Sequence, residues 1–180
     1  SRGLVDDIWV RRYARDNRDP VAAYGAALYY SLKGNSQEAV RIARTINSPY
    51  RNVFLGEIYV TANKFPEAAQ ALRGVSELVG RYYLARAYEG MGRSDLAANT
   101  YRLLSAYGPI YPEIYYRLGM ILGRTGDEAG GHACLGRYYM YKGNYQLART
   151  NFEKAISRYG INSREGTELM KLMDSLEEKK

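Results

Sequence analysis

The polar and apolar positions of this chain alternate at helical spacing, three and four residues apart, almost from its first residue. Leu4, Val5, Ile8, Trp9 and Tyr13 form one apolar stripe, with Asp6 and Asp7 early and Arg11 and Arg12 late, as a helix dipole favours. Asn17-Arg18-Asp19-Pro20 ends that helix and begins the next, with Asp19 as N-cap and Pro20 at the first helical position. From there helices come in pairs: VAAYGAALYYSLKG with SQEAVRIARTI, RNVFLGEIYVTAN with PEAAQALRGV, and RYYLARAYEGMG with SDLAANTYRLLSAYGP. Each pair turns at a residue suited to the left-handed region: Gly34, Asn63 and Gly92. Near the end, Leu169, Leu172, Met173 and Leu176 share one face of a last amphipathic helix. The pattern predicts an all-α chain of about ten helices and no strands.

A small residue recurs where two helices must approach closely: Ala27, Gly56, Ala85, Gly119 and Gly136. Small residues recur likewise on the second helices, at Ala39, Ala68, Ala97 and Ala148, and Phe152 fills the space beyond the last. The intervals in the first series are 29, 29, 34 and then 17 residues. An interval of 17 leaves no room for a separate second helix, so one helix, about Glu128 to Tyr141, must partner both its predecessor and its successor.

The best copy runs from Gly131 to Gly160. Its Leu135-Gly136, Tyr139, Gly143, Tyr145, Ala148, Phe152 and Ala155 resemble the tetratricopeptide repeat (TPR), L-G-x₂-Y followed by A-x₃-F on two helices. The resemblance implies a TPR-like α-α superhelix of antiparallel helix pairs, stabilised by stacking. Its organisation would be a leading helix over 1–17, repeats over 18–160 (about 20–47, 49–77, 79–109 and 112–160), and a capping helix over 162–180.

Composition narrows the function more than it names it. The 26 basic and 19 acidic residues give a net charge of +7, which favours acidic partners or anionic surfaces. The basic residues are scattered without a run of five or six, which argues against nucleic acid. An RNA- or anionic-surface-binding solenoid is the lesser alternative. With one histidine and one cysteine, a zinc site of His and Cys ligands cannot be built. H-E-x-x-H, G-x-x-x-x-G-K-[ST] and G-x-S-x-G are all absent. No catalytic residue, metal ligand or cofactor is therefore assigned within this chain. His132 reads as a helix-packing residue, Cys134 as a small buried hydrophobe, and the 18 glycines as packing and turn residues. No apolar run approaches the length of a membrane span. The opening SRGLVDD reads as a fragment cut from a longer protein.

In TPR proteins the first helices of successive repeats line the concave face. That implies a binding row of Tyr24, Tyr82, Arg86, Tyr116, Arg124 and Arg137, with tyrosine supplying rigid contact area and arginine pairing carboxylates of a protein or peptide. The first repeat, Ala22-Ala23-Tyr24-Gly25-Ala26-Ala27-Leu28, and the doubled signature from Tyr115 to Ile156 resemble the C-terminal TPR region of BepA-like bacterial zinc metallopeptidases, over about residues 18 to 160. That resemblance implies a parent with a zinc-bearing H-E-x-x-H peptidase domain, against which this chain would dock, in the periplasm or cell envelope. Trp9 would then be an interdomain contact. A free-standing TPR adaptor in secretion or envelope assembly is the alternative.

Overall fold

The computed structural model describes residues 7 to 177, and all of their regular structure is helical. The helices are α1 (Ile8–Arg15), α2 (Pro20–Leu32), α3 (Ser36–Thr45), α4 (Arg51–Thr61), α5 (Phe65–Ala71), α6 (Leu78–Gly90), α7 (Ser94–Leu104), α8 (Glu113–Arg124), α9 (Glu128–Tyr141), α10 (Tyr145–Tyr159) and α11 (Arg164–Glu177). A single 3-10 turn, Ser105–Tyr107, follows α7. Leu4 and Val5 of the leading stripe, and Asp6 beside them, lie outside the described residues.

The boundaries follow local chemistry. Asp19 accepts hydrogen bonds from the Val21 and Ala22 N–H groups at 2.9 and 3.2 Å, and Pro20 begins α2. Asn35, Asp127 and Asn144 cap α3, α9 and α10 in the same way, each satisfying an N–H three residues on. At the far ends, the residue past the helix takes positive φ at Gly34, Gly92, Gly126 and Gly143. Asn63, at φ 57°, holds that position after α4, the one non-glycine among the described residues to do so.

The chain divides into two compact units, Ser1–Arg93 and Ser94–Lys180, with the division falling inside the 79–109 repeat. In the first, α2 pairs with α3 and α4 with α5, and α4 packs on α6. Its core is built largely from alanine: Ala27, Ala39, Ala43 and Ala68 are fully buried around Ile42 and Ile58. The small side chains let the helices close. A Cβ at Gly56 would run into Leu72 of the neighbouring turn. Trp9 lies over Gly25, filling the notch that glycine leaves, with the Arg12 guanidinium 5.7 Å from the ring centroid.

In the second unit, α9 packs extensively against both α8 and α10. The helix shared by two hairpins, expected from the 17-residue interval, is present, and it uses a different glycine for each partner. Gly131 meets α8 at Gly119, and Gly136 meets α10 at Phe152. Phe152 is fully buried among Ala148, Ala155 and Leu169. Leu169 and Leu176 of α11 cover α10, as a capping helix must. No helix among the described residues is long and apolar enough to cross a membrane.

Candidate functional site

The six residues of the expected binding row fall in both units: Tyr24, Tyr82 and Arg86 in the first, Tyr116, Arg124 and Arg137 in the second. In the first unit, Tyr24 (α2) is half-buried, 4.4 Å from the Phe54 ring, and donates its hydroxyl to Glu57 at 2.9 Å. Tyr83 (α6) donates to the other Glu57 oxygen at 2.9 Å. One carboxylate thus ties three successive first helices. Burial and the Glu57 charge both raise the Tyr24 hydroxyl pKa, so it stays protonated and donating. Tyr82 is only 5% exposed and offers no contact surface, whereas its neighbour Tyr83 is half-buried against the core with its hydroxyl on Glu57. The expectation that Tyr82 presents contact area to a partner does not fit its burial. Arg86 is half-buried, with Glu89 at 3.9 Å.

The second unit brings two of the six together. Tyr116 and Arg124 stand two turns apart on α8, with Met120 between them, one row at i, i+4, i+8. Antiparallel α9 lays Tyr138, Leu135 and His132 alongside. The Tyr116 and Tyr138 rings meet at 5.2 Å, tilted by 49°. Below that pair, Gly119, Met120, Gly123 and Arg124 of α8, with Glu128, Gly131, His132 and Leu135 of α9 and Arg158 of α10, line a groove of about 370 Å³. Tyr116 and Met120 are 37% and 42% exposed, so contact area remains for a partner. His132 shares a hydrogen with Asn151 across to α10 (Nδ1···Oδ1, 3.0 Å), in keeping with a packing role.

Arg137 lies elsewhere. It lines a cleft of about 460 Å³ with Tyr115, Leu118 and Leu122, the α8 residues facing away from Met120 and Arg124. Its guanidinium holds Glu168 of the capping helix at 2.6 Å. The expected row takes α9 as an ordinary first helix. Because α9 turns one face to α8 and another to α10, the residue after Gly136 points to α11 instead. In the same cleft, burial pushes the Cys134 thiol up to about 11, partly opposed by the Arg137 charge, so the thiol is unreactive at neutral pH. Among the described residues, no three His, Cys, Asp or Glu side chains converge as metal ligands.

The glycines of the α8–α9 crossing divide into two kinds. A Cβ at Gly119 would sit 2.9 Å from the Gly131 carbonyl oxygen, and one at Gly131 would sit 3.1 Å from the Gly119 oxygen. These two let backbones touch. Gly123 differs: a Cβ there would meet nothing within 4 Å, and its φ is ordinary helical. It is neither a packing nor a turn glycine, contrary to the expectation that all 18 are.

Two models for the tetratricopeptide repeat match the sequence, over residues 82–130 and 135–161. These segments are tetratricopeptide repeats. The second TPR match begins on α9 and runs through the end of α10, the pair in which α9 serves as first helix. Solved structures agree on the fold. A tetratricopeptide repeat protein from Parabacteroides merdae superposes with TM-score 0.55 at 16% identity, over 92% of this chain and 75% of that one. The APC/C hetero-tetramer Cut9-Hcn1 gives 0.56 at 15%, over 92% and 38%. YrrB, a TPR protein with an unusual peptide-binding site, gives 0.53 at 15%, over 93% and 100%. No curated protein matches the chain. The TPR fold is thus established along nearly all of the chain.

Proposed function

We propose that this TPR chain is a protein-interaction module that takes an extended segment of a partner along the α8–α9 groove. The observation that carries the reading is the row Tyr116, Met120, Arg124, opened onto a floor of glycine backbone and flanked by Leu135 and Tyr138. Aromatic and arginine side chains beside an apolar trough are the usual makings of a binding hot spot. The net charge of +7 makes the partner acidic on average. Selection of random dodecapeptides displayed on phage, run on the wild type and on Met120→Glu, tests it. Wild type should enrich a family of related peptides that Met120→Glu no longer binds. Enriched peptides that bind both proteins equally would refute the groove.

A narrower reading, the non-catalytic part of a zinc metallopeptidase of the cell envelope, is favoured by the doubled motif from Tyr115 to Ile156 alone. Under it, the reading frame upstream of Ser1 encodes an H-E-x-x-H helix. A signal peptide or lipobox directly upstream would support a free-standing adaptor instead.

A further inference from the structure

The groove has a graded chemistry. One end is the Tyr116–Tyr138 pair, the middle is Met120 and Leu135 over glycine backbone, and the other end carries Arg124, Arg158, Glu128 and His132. At that end most polar groups are already matched. Arg158 Nε holds the Glu128 carboxylate at 2.8 Å, and His132 holds Asn151. Arg124 is exposed and makes no ion pair among the described residues. The apolar trough therefore terminates in an unmatched cation.

Gly123 sits beside it. A helical glycine is less stable than alanine, and here the chain's own packing returns nothing for that, since a Cβ would stand in open space. What the missing side chain does provide is depth: Gly123 lines the groove, so an approaching chain can reach the backbone of α8 next to Arg124. From Tyr116 to Arg124 the helix rises about 12 Å, the reach of about four extended residues.

Resting on the reading of this groove as the binding surface, we infer that its ligand is an acidic–apolar peptide. The segment seats an apolar side chain over Gly123 and places a carboxylate one or two residues away on Arg124. Apolar burial provides the affinity, and the single matched charge sets register and direction along the groove.

The test uses the full chain and three fluorescein-labelled dodecapeptides of alternating composition: aspartate–leucine, serine–leucine and lysine–leucine. Binding is followed by fluorescence anisotropy. The aspartate peptide should bind at least tenfold tighter than the lysine peptide. Arg124→Ala should weaken it about fivefold, and Gly123→Leu at least tenfold without lowering the melting temperature. Gly123→Leu leaves the net charge unchanged, so its effect separates groove binding from general attraction to a basic chain. If the serine peptide binds as tightly as the aspartate one and Arg124→Ala changes nothing, the acidic class is overturned while the groove stands. If Gly123→Leu binds like wild type, the groove itself is overturned. Sedimentation showing a dimer that Gly123→Leu dissolves would put a second copy of the chain in the groove and overturn the peptide assignment.

Discussion

Gly131→Ala should open the α8–α9 crossing, and its cost can be worked from the geometry. The new methyl would lie 3.1 Å from the Gly119 oxygen and from the Gly123 nitrogen, and 3.3 Å from the Gly123 Cα. All three are backbone atoms of a neighbouring helix, so no rotamer change relieves the contact; the helices must part by a few tenths of an ångström. Overpacking of this kind costs about 1–3 kcal/mol. Against it stands the helix-propensity gain of alanine over glycine, about 0.5–1 kcal/mol. The net is a loss of roughly 1 kcal/mol, or about 2–4 °C in melting temperature for a chain of 180 residues. Gly123→Ala is the matched control: the same substitution on the same crossing, with nothing for the methyl to meet. It should raise stability by about 0.5–1 kcal/mol. Urea and thermal unfolding, followed by circular dichroism, measure both. A Gly131→Ala chain that melts at or above wild type, or equal midpoint shifts for the two substitutions, would show that the backbones at this crossing have room for a methyl.

Three other outcomes are expected. Phe152→Ala removes a fully buried ring from the meeting point of α9, α10 and α11 and should cost about 3–5 kcal/mol in the same unfolding assay. Asn63→Gly should stabilise by a few tenths of a kcal/mol and Asn63→Ala should destabilise, because the backbone there is left-handed. For Cys134, the thiol pKa is raised in the folded state, so the unfolded chain loses its proton first as pH rises. The stability this contributes is complete below the ordinary cysteine range and disappears as pH approaches about 11. Unfolding midpoints between pH 8 and 11 should therefore fall less steeply in Cys134→Ala than in wild type.

The fold was legible because its signals are local. Asp19-Pro20, the turn residues Gly34, Asn63 and Gly92, and the small residues at 27, 56, 85, 119 and 136 each state a constraint on one turn of backbone or one helix contact. The shared helix was legible from the 17-residue interval alone. The site was only half legible, since side-chain direction depends on which neighbours a helix has. Tyr116 and Arg124 fall on one row of one helix, which spacing captures. Tyr82 against Tyr83 differs by a rotation of 100° that packing decides. Arg137 was misplaced because α9 has two partners. Leu135 and Tyr138 were missed as groove residues, although Gly123, an extra glycine in a helix with no packing or turn slot to fill, was a signal that could have drawn attention to the groove beside it.

The binding surface is most directly tested by the methyl resonances of the chain's five methionines, labelled with ¹³C, during titration with the tightest peptide from the phage selection. Met120 stands in the groove, whereas Met91, Met140, Met170 and Met173 do not line it. A saturable shift of the Met120 methyl, larger than that of any other and absent in Gly123→Leu, is expected. Saturation that shifts another methionine and leaves Met120 unmoved would contradict it.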